Sequence, residues 1–326
     1  MPIYMDRHDI PEEITAEHVA QMHQEDLKVQ HLFGCKGMTY WCDEKRRTAF
    51  CLFEAPNKQA IQDMHNRAHG DCPHIIIEVN ERIVESFLGR IEDPEKSQDT
   101  ALNIINDPAF RVLMIIETSN YLDRLEANQY TIFTHKFHNS VAKKFQKYNG
   151  NIVKKDNHSY LVSFKTVTDA VLCAQKIQFQ YKYVTPTFEH SSRKIKIALC
   201  SGIPITDKDE IFKETIDLAT RMCTIVKDSF VITSEVNALY ESENRNAVID
   251  EEMVSILSPL DEKFITHLMD YTEDVWNNTE LDVLSFSKAL GFSKSQFYRK
   301  LTSLTGKSPN TFLRDYRLDK SLKLLH

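Results

Sequence analysis

Hydrophobic and polar positions change their period along the chain, and each change marks an element. Ile3 to His8 alternates as a strand does. Thr15 is placed to cap a helix running to about Gln30, on which Val19, Met22, His23, Leu27 and Gln30 recur at helical spacing. Residues 36–43 and 48–54 return to a β-prone pattern, parted only by the polar run Glu44, Lys45, Arg46 and Arg47, which suits a hairpin. Pro56 stands where a second helix can start, Ala60, Ile61, Met64, His65 and Ala68 form its stripe, and Gly70 can end it. A strand over 74–79 closes a β-α-β-β-α-β order, in which a small sheet carries two helices on one face.

The remaining pattern predicts an α+β multidomain chain. The first unit, over 1–82, has the ferredoxin-like order. A linker over 83–109 follows, with one short amphipathic segment and the polar stretch Glu92 to Gln98 around Pro94. A second α+β domain over 110–240 starts from the buried-type strand Arg111 to Ile116. It continues as a helix (122–148), a hairpin (151–164), a helix (167–182), a strand (Ile195 to Leu199), a helix (211–226) and the strand Phe230 to Thr233. An acidic stretch over 241–252 marks a further boundary, and an all-helical tail occupies 258–326.

At 326 residues, two or three domains are expected. No run approaches the roughly 18 apolar residues of a membrane span, and the polar Asp6, Arg7, His8 and Asp9 leave no signal peptide, so no membrane and a cytoplasmic location are expected. The seven cysteines are odd in number and scattered, as reduced thiols are. The formal charge of −7 hides a segregated patch. From Lys288 to His326 nine Lys and Arg face two acids, Asp315 and Asp319, a local +7. An acidic body with a basic tail confines any nucleic-acid contact to the tail.

Within that tail Leu284, Phe286, Ala289 and Leu290 make a short helix, Gly291 supplies a turn, and Ser293 can cap a helix from Lys294 to about Ser303. Phe297, Leu301 and Leu304 point its apolar stripe inward, while Ser295, Gln296, Tyr298, Arg299 and Thr302 are left to read base edges. Phosphate contacts fall to Lys294, Lys300 and Lys307. From Leu284 to Leu318, the Gly-Phe-Ser turn, the Tyr-Arg-Lys-Leu helix, Thr-Gly-Lys-Ser-Pro and Arg-x-x-Arg-Leu occur in the order found in the AraC family. The resemblance covers the first helix-turn-helix and linker helix of that family's DNA-binding domain, and implies a transcription regulator with DNA as partner. The family adds a second helix-turn-helix, and the sequence stops at His326 before it, so half of the reader is expected to be missing.

His65 and His69 lie four apart on one predicted helix, the spacing metal-binding helices use. His8 and His23 are candidates for further ligands, with Asp6 as an oxygen donor or as a partner orienting a histidine. Nitrogen and oxygen donors suit Ni or Zn, and softness does not choose between them. The motifs Tyr4-Met-Asp-Arg-His, Thr39-Tyr-Trp, Phe50-Cys-Leu-Phe-Glu-Ala-Pro and Met64-His-Asn-Arg-Ala-His-Gly resemble a small ferredoxin-like family that includes a nickel-binding member. That resemblance implies that Met5, His8, His65 and His69 gather at one site, and that two copies pair through their sheets into a homodimer.

Residues 110–235 resemble a class III nucleotide cyclase domain in their order of elements. The resemblance puts Glu117 in the place of the first metal-binding carboxylate, Lys154 in the segment before the hairpin turn, and His158 where the second carboxylate belongs. Asp217 and Arg221 fall in the family's Val-Asn-x-Ala-x-Arg segment. Two-metal phosphoryl chemistry needs anionic oxygens, which an imidazole does not supply. A pseudo-cyclase that binds a nucleotide, or only relays a signal, is therefore expected rather than an enzyme, with Asp156 as the residue a register shift could recruit. The leading expectation is a regulator with a metal-sensing or small-molecule-sensing module. The alternatives are a nucleotide cyclase and a metal-buffering protein.

Overall fold

The computed structural model describes residues 1–94, 102–120, 127–184, 193–245 and 253–325. The N-terminal module runs β1 (Ile3–Asp9), α1 (Ala16–Val29), β2 (Lys36–Asp43), β3 (Thr48–Glu54), α2 (Lys58–Ala68) and β4 (Ile75–Val79), in the predicted order. Its four strands are antiparallel in the order β2-β3-β1-β4, and Asp6 stands opposite Cys51 on one side and Ile76 on the other. α2 starts two residues later than Pro56 suggested. Asn57 is its cap and accepts from the Ala60 amide at 2.9 Å, leaving Pro56 outside the helix.

Alternation along the strands sends Tyr4, Tyr40, Cys42, Cys51 and Phe53 into a core beneath α1 and α2. The opposite face carries Met5, Trp41, Phe50, Leu52 and Ile77, and it is covered too. Six consecutive residues of β3, Thr48 to Phe53, are buried because both sheet faces are packed.

Much of that cover comes from the stretch expected to be a linker. α3 (Glu81–Leu88) is capped by Asn80 and ended by Gly89 at φ +83°. Val84, Phe87 and Leu88 enter the same core as Met5 and Trp41. The carbonyls at the end of α3 are claimed by the middle domain. Arg111 donates to Phe87 at 3.1 Å and to Leu88 at 2.9 Å, and the Ser163 hydroxyl donates to Phe87 at 2.8 Å. α3 is thus a wedge between two modules. The polar stretch after it lies partly outside the described residues, as do the start of the helix expected from 122, part of the acidic stretch 241–252, and His326.

The middle domain contains β5 (Arg111–Asn120), α4 (Ala127–Lys147), β6 (Asn151–Lys155), β7 (Ser159–Phe164), α5 (Val167–Val184), β8 (Arg193–Gly202), α6 (Lys213–Ile225), β9 (Phe230–Thr233) and α7 (Ser234–Glu243). β10 (Ser255–Leu257) lies beyond the predicted boundary yet returns to pair in parallel with β9, so six strands run β10-β9-β8-β5-β7-β6. Neither α7 nor β10 stood out in the pattern, both being short. Val112, Met114 and Ile116 face a core with α4, α5 and α7. Ile115, Ala198 and Cys200 face α6 and the C-terminal helices, while Leu113 faces the N-terminal module.

The tail is all-helical, as predicted: α8 (Pro259–Val275), α9 (Val283–Ala289), α10 (Lys294–Thr305) and α11 (Pro309–Leu325). Gly291 turns between α9 and α10 at φ +76°, a conformation glycine adopts without steric cost. Phe286, Phe297, Leu301 and Phe312 share one core with Phe264 and Leu268 of α8 and Met222 of α6, so the tail is seated on the middle domain. Among the described residues no helix is long and apolar enough to cross a membrane, and the seven cysteines are unpaired.

Candidate metal centre

Three elements bring the N-terminal histidines together. β1 projects Asp6 and His8 from alternate positions toward the helices, α1 contributes His23 and Asp26 from its inner stripe, and α2 contributes His65 with His69 at its end. Asp6 is fully buried, and His8, His23, Asp26 and His65 are each at most 5 % exposed. His8, His23, Asp26, Cys51, His65, His69 and Asp71 line a single cavity with about 20 Å³ of space for the centre of a water-sized occupant. That is room for one ion or water.

At its centre, Asp26 Oδ1 lies 3.1 Å from His65 Nδ1 and 3.2 Å from His69 Nε2, and those two nitrogens are 3.3 Å apart. The other nitrogen of His65 contacts Asp6 Oδ2 at 2.9 Å. Asp6 Oδ1 accepts the Cys51 amide at 3.0 Å and lies 3.5 Å from His8 Nε2, whose Nδ1 is 3.4 Å from Asp71 Oδ2.

Electrostatics follow from this pairing. Burial alone lowers a histidine, but the Asp6 carboxylate outweighs it at His8 and raises that ring to about 9. Against the same penalty, the facing carboxylates of Asp26 and Asp6 raise His65 to about 10. The carboxylates respond in kind: burial raises Asp6 and Asp26, yet the facing histidines hold both below the usual range. His23 is pushed down by burial, so its neutral form is favoured.

The donor set fits a divalent transition metal. Separations of 3.1–3.3 Å among one carboxylate oxygen and two imidazole nitrogens are those of donors bonded at about 2.0–2.1 Å to a common ion. The buried Asp26 Oδ1 lacks hydrogen-bond geometry to any described residue despite its close neighbours, and so does the buried His23 Nδ1. Asp26, His65 and His69 would hold the ion, and Asp6 would orient His65 from behind. Asp6, His8 and Cys51 form a second convergent group.

Of the residues predicted for this site, His8, His23, His65 and His69 come together. Met5 does not: one residue before Asp6 on the strand, it projects through the opposite face into the core with Phe212. Asp26 was not foreseen, although it continues the helical spacing of Val19 and His23. A buried carboxylate on an inner stripe was itself the signal. The anticipated pairing of two copies through their sheets is also corrected, because that sheet face is covered by the chain's own α3 and middle domain.

The other candidate residues occupy different places. In α10, Lys294, Ser295, Gln296, Tyr298 and Arg299 are exposed. The Gln296 side-chain oxygen accepts the Ser293 amide at 3.1 Å and so serves the helix cap. Lys300 is ion-paired with Asp261 of α8, and Lys307 with Asp315 at 3.0 Å, so neither is the free phosphate contact expected. Thr302 donates to the Lys307 carbonyl. In the middle domain, Glu117 on β5 stands opposite Ser159, beside His158, whose carbonyl accepts the Thr118 amide at 2.8 Å. Lys154 is exposed on β6, and Asp156 accepts the Ser159 hydroxyl within the turn. Asp217 pairs with Lys213 at 3.2 Å. Arg221 reaches across to α8, contacting Asp270 Oδ1 at 2.6 Å and donating to the Thr266 carbonyl at 3.4 Å.

Comparison with known proteins places the first module. Residues 4–79 match the family described as nickel responsive protein SCO4226-like. The solved structure of SCO4226 from Streptomyces coelicolor A3(2) is 35 % identical, over 24 % of this chain and 94 % of that one, with a TM-score of 0.23. Nucleotide cyclases are also similar. A bacterial light-regulated adenylyl cyclase is 11 % identical over 73 % of this chain and 86 % of its own, TM-score 0.32. An adenylate/guanylate cyclase/hydrolase from Silicibacter pomeroyi is 17 % identical over 43 % and 85 %, TM-score 0.37. Among curated proteins, histidine kinase P4 of Formosa agariphila is 33 % identical over 69 residues, which are 21 % of this chain and 5 % of that protein. The chain therefore spans a small part of that relative's length.

Proposed function

We propose that this chain is a metal-responsive regulator whose N-terminal module takes a nickel-class divalent ion and whose C-terminal helices contact DNA. The observation that carries the proposal is the convergence of Asp26 Oδ1, His65 Nδ1 and His69 Nε2 within 3.3 Å of one another in a buried, ion-sized cavity. A metal bound there supplies a fixed positive charge and a coordination demand that hold three side chains from two helices in one arrangement. Asp6 keeps His65 in the tautomer that presents Nδ1.

The DNA contact rests on α9 and α10. Their apolar positions are buried, while Ser295, Tyr298 and Arg299 project from α10. Arg299 suits a guanine edge and Tyr298 a phosphate or thymine methyl. The middle domain acts in this reading as a scaffold and not as a cyclase: His158 supplies no anionic oxygen, and Arg221 is committed to α8. Calorimetric titration with Ni²⁺ and Zn²⁺ tests the site. Fluorescence anisotropy of promoter fragments, with and without metal, tests the regulator. Tight metal binding with no effect on selective DNA binding would instead favour a buffering protein, and turnover of ATP or GTP with Mn²⁺ would favour the enzyme.

A further inference from the structure

We infer that the metal site is read out through the sheet of its own module, with β1 as the shared element between the histidine cluster and the middle domain. This rests on the metal-site reading above and adds a route by which occupancy reaches the C-terminal helices.

β1 has two working faces. Asp6 and His8 face the cavity, while Met5 and Arg7, which alternate with them, face the middle domain. Arg7 Nη1 donates to the Ile205 carbonyl at 3.2 Å. Met5 packs in the cluster that holds Ile205, Ile211 and Phe212. β3 repeats the arrangement: Cys51 faces the cavity, and Phe50 and Leu52 face the interface. Asp6 ties the two strands together by accepting the Cys51 amide. Within a packed core, a displacement of Asp6 or Cys51 toward a ligand cannot leave Met5, Phe50 and Leu52 where they were.

On the receiving side, residues 203–212 connect β8 to α6. The segment is closed by the Phe212 amide donating to the Pro204 carbonyl at 2.8 Å. Phe212 sits at φ +56° immediately before α6, a left-handed conformation that is strained for a bulky side chain. Its ring meets Phe87 of α3 at 4.9 Å between centroids. The contacts with Phe87 and the N-terminal sheet therefore hold in place a backbone conformation at the head of α6. α6 passes the position on: Arg221 grips Asp270 and the Thr266 carbonyl of α8, and Met222 and Ile225 pack in the core shared with Phe264 and Leu268. α8 holds α10 through Asp261 and Lys300. Each link is a direct contact, and Phe212 is the joint at which the backbone is strained.

The test is hydrogen-deuterium exchange of the full chain with and without saturating Ni²⁺, alongside calorimetry, on wild type, Arg7→Ala and Arg221→Ala. In wild type, Ni²⁺ should slow exchange several-fold not only in 4–79 but also over 203–225 and in α8. Arg7 and Arg221 lie outside the cavity, so both variants should bind Ni²⁺ with wild-type stoichiometry. Arg7→Ala should confine the protection to the N-terminal module, and Arg221→Ala should let it reach α6 but not α8. Ni²⁺ binding with protection limited to 4–79 in wild type overturns the coupling and leaves the metal site standing. Unchanged long-range protection in both variants overturns the proposed route. Failure of calorimetry to detect any binding removes the metal site and the coupling with it.

Discussion

Metal binding at this site should be coupled to proton release, with a slope that the geometry sets. His65 is held charged by two carboxylates, Asp6 at 2.9 Å and Asp26 at 3.1 Å, which raise it to about 10 against the cost of burial. An imidazole nitrogen must be unprotonated to ligate. Binding at neutral pH therefore displaces the Nδ1 proton, while Nε2 keeps its proton on Asp6. One proton displaced per ion makes affinity rise about tenfold, or about 1.4 kcal/mol, per pH unit below the His65 value. Between pH 6.5 and 8.5 the dissociation constant for Ni²⁺ should fall by about a hundredfold. Calorimetry in buffers of different ionisation enthalpy should count about one proton released per ion. Asp6→Asn removes one of the carboxylates that raise His65, so its slope should be shallower. A pH-independent affinity with no proton released would refute the assignment of His65 as a ligand.

The same shifts set the stability of the metal-free module. His8 and His65, raised to about 9 and about 10, contribute stability that is fully present below about pH 6.5 and lost as pH rises through 9 to 10; thermal melts without metal should show that alkaline loss, and saturating Ni²⁺ should reverse it. Asp6 and Asp26, held low, contribute stability present above about pH 4 and lost on acidification, so the melting temperature should also fall in acid. His69→Ala should leave the fold intact and weaken Ni²⁺ binding by at least tenfold, whereas Lys36→Ala, far along β2, should change nothing in calorimetry. Phe87→Ala empties a nearly buried position between two modules and should cost roughly 3–5 kcal/mol in urea unfolding followed by tryptophan fluorescence; a change under about 1 kcal/mol would show that α3 is not a wedge. Arg299→Ala should relax DNA selectivity by about 1–3 kcal/mol in competition anisotropy, while Lys300→Ala should lower stability more than DNA affinity, because that ammonium is spent on Asp261.

The order of elements in the first 80 residues was legible because each period switch coincides with a turn signal, and His65 with His69 announced a face through spacing alone. What the pattern also held, and alternation reasoning passed over, was the run Ala49-Phe50-Cys51-Leu52-Phe53. Its five unalternated apolar residues require cover on both sides of the sheet, which another copy or the chain's own elements could supply, and here α3 and the middle domain supply it. The same rule of two excludes Met5 from a site that contains Asp6 and His8. Asp26 was hidden for a different reason: a carboxylate on an apolar stripe reads as an interruption until its partners, distant in sequence, are brought to it. Ion pairs such as Lys300 with Asp261 and Arg221 with Asp270 are equally invisible, because they depend on how α8 lies across α6 and α10.

Covering the second sheet face also changes how occupancy of the cavity can be felt elsewhere in the chain. A free module of this shape has an apolar sheet to bury, and self-pairing is one way to bury it. Here α3 and the segment before α6 take that surface, so whatever occupies the cavity acts against residues of the same polypeptide. The energetic consequence is reciprocity. If metal favours one arrangement of the sheet on Ile205 and Phe212, a ligand at the C-terminal helices that favours the same arrangement must tighten metal binding by the same factor. A promoter fragment that is bound more tightly with Ni²⁺ should therefore lower the Ni²⁺ dissociation constant equally. Promoter affinity that is unchanged when Ni²⁺ occupies its site would show that the two sites do not share a conformational equilibrium.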